Sequence, residues 1–315
     1  MTAATTPECF VQLSDPHIVI KGRLLMGQVD TAAFLARAVA HVCALPARPS
    51  HVLITGDLVE RGGLDEYAHL RELLAPLPCP VLLMPGNHDA VPSLRQAFAD
   101  HGYLSSTAHE PALSGFALYA ASLGSRRLLA LDTVVPGKPH GSLCAARLGW
   151  LRVQLEAAPD TPTVVAMHHP PFTTGIRHMD GMGLREGADE LEALMALHPQ
   201  VERILCGHLH RPITRRFGGT VAMTAPSTAH QITLGLMPDS PPSFVFEPPG
   251  ETHTLVVPEG VEEMITYFQV NGIMYYVDPW GKALGYEDVF TKIDMCRRHY
   301  EKVGLGADYV EQFVR

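Results

Sequence analysis

Phe10-Val11-Gln12-Leu13-Ser14-Asp15-Pro16-His17 is an apolar run that stops abruptly on a small polar cluster. The run reads as a strand over 9–14. At its end Asp15 and His17 stand two residues apart, so both side chains share one side if the backbone stays extended. The same punctuation returns four more times. A strand over 51–55 ends in Gly56-Asp57-Leu58, one over 80–84 in Gly86-Asn87-His88-Asp89, one over 163–167 in His168-His169-Pro170-Pro171, and one over 201–206 in Gly207-His208-Leu209-His210. Helical patterns separate these strands. Asp30 predicts the N-cap of a helix through Leu45, with Phe34, Leu35, Ala38, Val39 and Val42 on one face, and further helices are expected over 64–75, 145–157 and 188–197. Runs over 116–122 and 127–132 read as antiparallel partners, and short strands follow over 213–246. This alternation is the pattern of stacked α and β layers, an α/β class in which polar groups beyond the carboxyl ends of strands converge on one pocket.

The remaining composition narrows the function. With 315 residues, 46% of them apolar, the chain can fill a sizeable core. A formal charge of -9 argues against a general nucleic-acid surface, which would concentrate Lys and Arg. It leaves a small anionic substrate open, because bound cations reverse the local field of a carboxylate site. Six cysteines stand singly with no CxxC pair, which reads as reduced, mostly buried thiols. The first residues carry no signal-like apolar segment and no run approaches bilayer length, so the expectation is a cytoplasmic protein that does not span a membrane.

Five clusters of His, Asp and Asn without Cys suit first-row divalent or trivalent ions such as Mn, Fe, Zn or Co. A phosphodiester repels hydroxide. Two cations about 3.5–4 Å apart can neutralise it, orient it and ionise a water at neutral pH. Such a pair needs a bridging carboxylate, and Asp57, behind a glycine that lets the turn pass close, is the expected bridge. Asp15, His17 and His210 are then expected to hold one ion, and Asn87, His168 and His208 the other. His88, beside Asn87, is expected to donate to a phosphate oxygen or the leaving group, the alternative being that it only orients a ligand.

Asp15-x-His17, Gly56-Asp57-x-x-x-x-Gly62, Gly86-Asn87-His88-Asp89, His168-His169-Pro170-Pro171 and Gly207-His208-Leu209-His210 resemble, in order and spacing, the five blocks of the calcineurin-like metallophosphoesterase superfamily. Over about 10–250 the chain is most similar to the bacterial branch that contains class III cyclic nucleotide phosphodiesterases and a glycerophosphodiesterase. The resemblance implies a four-layer sandwich of two mixed β-sheets flanked by helices. It also implies that His168 is the ligand and His169 its neighbour, and that a phosphodiester is the substrate: a 3',5'-cyclic nucleotide such as cyclic AMP first, with a glycerophosphodiester or promiscuity among small phosphoesters as the alternative. A non-catalytic metal-binding scaffold is the less favoured reading. Asp89 is expected either to orient His88 or to stabilise its turn. His230, in Thr228-Ala229-His230-Gln231, resembles a substrate-facing position. The Gly-rich stretch 173–183 resembles a lid, and Arg61 is expected either near the substrate or on the surface.

Pro-rich sequence over 238–250 predicts a boundary between a domain over 1–250 and an extension over 251–315. The extension predicts strands over 254–257, 264–270 and 273–277 and a helix over 293–303. It resembles the C-terminal part of cupin-type dihydroxyacetophenone dioxygenases, through Glu263-Met264-Ile265-Thr266-Tyr267-Phe268, Asp278-Pro279-Trp280-Gly281 and Gly285-Tyr286-Glu287-Asp288-Val289-Phe290. With only His253 and His299 as imidazoles it lacks the usual iron cluster, so docking on the main domain or pairing in a homo-oligomer is expected instead of oxygenase chemistry.

Overall fold

The computed structural model describes residues 8–45, 47–246, 250–256, 265–270 and 273–277. In chain order the elements are β1 (Glu8–Leu13), α1 (Thr31–Ala44), β2 (Val52–Thr55), α2 (Leu64–Leu74), β3 (Val81–Met84), α3 (Val91–Ala97) and a 3₁₀ turn (Gly102–Ser105). Next come β4 (Tyr119–Leu123), β5 (Arg126–Leu131), α4 (Ala145–Glu156), β6 (Thr163–Met167), α5 (Arg177–Asp180), α6 (Ala188–Ala196) and β7 (Val201–Cys206). The last are β8 (Ile213–Phe217), β9 (Thr220–Thr224), β10 (Gln231–Ile232), β11 (Phe244–Val245), β12 (Gly250–Val256), β13 (Ile265–Val270) and β14 (Ile273–Val277). Asp30 caps α1 as expected, its carboxylate accepting from the Ala33 N–H at 2.9 Å.

Two six-stranded sheets form, in the orders β14-β13-β12-β1-β2-β3 and β4-β5-β6-β7-β9-β8. Both are mixed. In the first, β1, β2 and β3 run parallel and β12 to β14 antiparallel. In the second, β5, β6, β7 and β9 run parallel, with β4 and β8 antiparallel at the edges. The period-2 alternation of strand side chains shows how the sheets are layered. Leu128, Ala130, Val164, Ala166 and Leu205 face a core shared with β1, β2, β3 and helices α1 to α3. Their neighbours Leu129, Leu131, Val165, Met167, Ile204 and Cys206 face a second core under α4 and α6. The result is helix, sheet, sheet, helix, the four-layer sandwich. Among the described residues no helix is long and apolar enough to cross a membrane.

Four departures from expectation have physical causes. The strand expected from 116 begins at Tyr119, because the Ala117 N–H is taken by the Asp132 carboxylate at 2.9 Å and the Phe116 carbonyl by Arg95 at 2.8 Å. Helix α3 was not expected after Gly86-Asn87-His88-Asp89; Pro92 lies in its first turn, where a missing N–H costs nothing. The stretch 173–183 holds the short helix α5, clamped by Asp180, which accepts from the Thr174 and Gly175 N–H groups at 2.7 and 2.9 Å. The strand expected from 254 begins at Gly250, across the expected boundary, and it pairs antiparallel with β1 from Glu8↔Val256 to Gln12↔Thr252. The helix expected over 293–303, and the cupin-like stretches 278–281 and 285–290, lie outside the described residues.

Candidate metal centre

The parallel strands of both sheets point their carboxyl ends to one edge, and the backbone there bends sharply. Among the described non-glycine residues six have positive φ, and five of them are Asp15 (50°), His17 (44°), Asp57 (49°), His208 (70°) and His210 (49°). Left-handed backbone is costly for residues with a Cβ, and it persists where surrounding structure over-determines it. Here hydrogen bonds between the turns do so: Asp15 and His17 N–H groups donate to the Gly56 and Asp57 carbonyls at 3.1 and 3.0 Å, and His208 N–H donates to the Asp15 carboxylate at 3.0 Å. Glycines make the approach possible. A Cβ at Gly86 would run into Asp57 and His168, and one at Gly207 would meet the Thr55 carbonyl at 2.6 Å.

The side chains then meet as follows. Asp57 Oδ2 lies 3.5 Å from His17 Nε2 and 3.4 Å from His168 Nε2, between the two. Asp15 Oδ1 is 3.4 Å from His210 Nε2, and His210 Nε2 is 3.1 Å from His17 Nε2. Asn87 Oδ1 is 3.2 Å from His168 Nε2, and the His208 ring lies 5.1 Å from that of His168. All but Asn87 are buried. Asp15, His17, Asp57 and His210 thus form one group with metal-ligand spacing, and His168, His169 and His208 another.

The proton inventory fits a cation site. His17, His168 and His210 each donate through Nδ1, to the Glu60 carboxylate (2.9 Å), the Thr55 carbonyl (2.8 Å) and the His230 carbonyl (3.0 Å). That fixes the tautomer and turns each Nε2 lone pair inward, the usual support of a metal-binding imidazole. Two facing lone pairs at 3.1 Å repel unless a cation lies between them. His208 Nε2, buried without a hydrogen-bond partner, is an orphan of the same kind. Burial alone would raise the Asp57 carboxyl, but His168, His17 and His88 hold it well below the usual carboxylate range. Burial would lower His168, yet Asp57 pulls it up to about 9; a field that favours a proton there favours a metal ion as well. His208, desolvated by burial and beside His168, is pushed down to about 3 and stays a neutral donor.

The surrounding residues sort by their bonds. His88 presents Nδ1 to the Glu60 carbonyl at 2.9 Å and its ring lies 4.7 Å from that of His17. Asp89 does not reach a ring nitrogen of His88. Its carboxylate accepts from Gly86 N, Leu58 N and Tyr67 Oη at 2.8, 3.0 and 2.9 Å, so of its two expected roles it takes the turn-stabilising one. His169 turns Nδ1 to Thr133 Oγ1 at 2.8 Å. His230 packs its ring 4.6 Å from that of His210. Arg61 is exposed and contributes its backbone N–H to Glu66, away from the cluster. Sequence reasoning missed Glu60, whose Oε2 stands 2.9 Å from His17 Nδ1 and 3.4 Å from His88 Nδ1. It lies three residues after Asp57, a position that by itself does not mark it as a partner of His17.

Comparison with known proteins places this geometry. A family model described as calcineurin-like phosphoesterase matches residues 10–212. A probable glycerophosphodiester phosphodiesterase of Arcobacter nitrofigilis is 33% identical over 259 residues, 82% of this chain and 92% of that protein. A 3',5'-cyclic adenosine monophosphate phosphodiesterase of Pseudomonas aeruginosa is 33% identical over 226 residues, 71% of this chain and 78% of that one. Among solved structures, a dimetal phosphatase of Danio rerio shares the fold with a TM-score of 0.62 at 14% identity, covering 87% of this chain and all of that one. With sheets, turns and sequence agreeing over most of its length, the chain belongs to the calcineurin-like phosphoesterase family.

Proposed function

We propose that the chain hydrolyses small phosphodiesters with two metal ions, Asp57 bridging, Asp15, His17 and His210 holding one ion, and Asn87, His168 and His208 the other. The placement of Asp57 Oδ2 between His17 and His168 carries this reading, since one carboxylate oxygen faces both groups of ligands. Bound there, the ions would be Mn, Fe, Zn or Co by donor type, and would neutralise the diester and lower the pKa of a water. The chain's own part is positional. The buried imidazoles and Asp57 hold the phosphate-facing space rigid, and Asn87, half-buried at the mouth, offers its amide to the phosphate as well. The water gives up one proton to solvent, its oxygen bonds to phosphorus as one P–O ester bond breaks, and protonated His88, with Nδ1–H held by the Glu60 carbonyl, passes its Nε2 proton to the departing alkoxide oxygen.

Relatives named for cyclic nucleotides and for glycerophosphodiesters stand at equal identity, so both substrate classes are carried forward. We infer that the extension over 251–315, whose strand β12 pairs with β1, serves either docking on the main domain or pairing between copies of the chain, in a protein that stays in the cytoplasm. Rates with Mn on cyclic AMP and on glycerophosphocholine test the activity: turnover of at least one is expected, and turnover of neither would overturn it. Asn87→Ala should cut that turnover severely.

A further inference from the structure

The rings around the metal centre continue past it. His17 and His210 flank His230 at centroid distances of 5.6 and 4.6 Å. His230 in turn meets Phe244 at 5.2 Å and 74°, and Phe244 meets Phe246 at 5.7 Å and 89°, each edge to face. The pairing of β10 with β11, with Ile232 opposite Phe244, is what folds this segment back beside His230. Phe244 packs against a small apolar cluster of Val19, Leu25 and Val29, from the loop after His17, and Ala229. The row therefore starts at a buried metal-site imidazole and ends on Phe246, 56% exposed.

A ring of this kind has no polar atom to offer the hydroxyls of a glycerol substituent, whereas its face and edge suit any flat π-system. His88, the proposed proton donor, and His230 both pack on the His17 ring, at centroid distances of 4.7 and 5.6 Å. We propose that Phe244 and Phe246 form a subsite for an aromatic ring carried on the phosphodiester, so that diesters bearing a nucleobase are preferred to those bearing glycerol. This rests on the phosphodiesterase reading and selects within it.

The test uses the full chain loaded with Mn and the exposed position Phe246, where Ala is not expected to disturb folding. Phe246→Ala should lower kcat/KM for cyclic AMP by roughly 5- to 160-fold, the range spanned by stacking of a base on an aromatic side chain, mostly through KM. Glycerophosphocholine should change by less than about twofold, and Phe246→Trp should restore cyclic AMP turnover. Equal losses on both substrates, or no change on either, would overturn the subsite. Calorimetric binding of adenosine 5'-monophosphate and glycerol 3-phosphate separates the two ideas. Should the wild type turn over neither diester, the hydrolase reading falls; the subsite then stands only if the nucleotide binds more tightly and Phe246→Ala abolishes the difference, and it falls if the two bind alike.

Discussion

The two groups of side chains proposed to hold the ions, here the two halves of the centre, are built differently, although Asp57 faces both. Around Asp15, His17 and His210 the backbone is pinched into positive φ at every residue, and both imidazoles are tied through Nδ1, one to a carboxylate and one to a carbonyl. Two carboxylates, Asp15 and Asp57, face that space. The other half has only the shared carboxylate, a neutral amide from half-buried Asn87, one imidazole tied through Nδ1 to Thr55 and one with a bare Nε2. Fewer charges and looser support mean weaker cation binding, so the half with Asn87 is expected to lose its ion first and the half with Asp15 to keep it.

The largest expected effect comes from the shared residue. Asp57→Asn should release both ions together and depress turnover by more than the roughly 100-fold that loss of an outer partner brings; metal content by elemental analysis would show near-zero occupancy. Next, Asn87→Ala should separate the halves, leaving about one ion per chain after dialysis, with activity partly recovered by excess Mn. Retention of two ions would dissolve the distinction. Glu60→Gln keeps the shape of its side chain but withdraws a charge from His17, and a weakening of metal affinity by about 10- to 100-fold is expected in the Asp15 half alone, read by titrating metal into the stripped protein. The smallest effect on the metals should follow Tyr67→Phe. Tyr67 Oη donates to Asp89 and accepts from the Ala90 N–H, so its loss should cost about 1–3 kcal/mol of stability in urea unfolding while metal content stays unchanged.

The candidate ligands of both halves were legible because they end strands in repeated small-polar clusters, and a strand's carboxyl end is a position that topology itself makes convergent. The assignment of α1 rested on Asp30 and an apolar stripe, local signals that tertiary structure left intact. Glu60 was missed because nothing local distinguishes a partner of His17, 43 residues away, from a surface glutamate. Asp89 kept two readings since its partners Leu58 and Tyr67 lie on other elements, and only folding decides between them. Sheet order was equally hidden: that β12 pairs on β1 requires bringing together segments about 240 residues apart, a choice no periodicity encodes. The ring row from His230 to Phe246 needed the pairing of β10 with β11 before it could be seen.

A crystal of the full chain soaked in manganese, with data collected for anomalous scattering, tests the paired centre most directly. Two peaks about 3.5–4 Å apart are expected, one ringed by Asp15, His17 and His210, the other by Asn87, His168 and His208, with Asp57 touching both. One peak alone at full occupancy, or a peak that Asp57 does not reach, would contradict it.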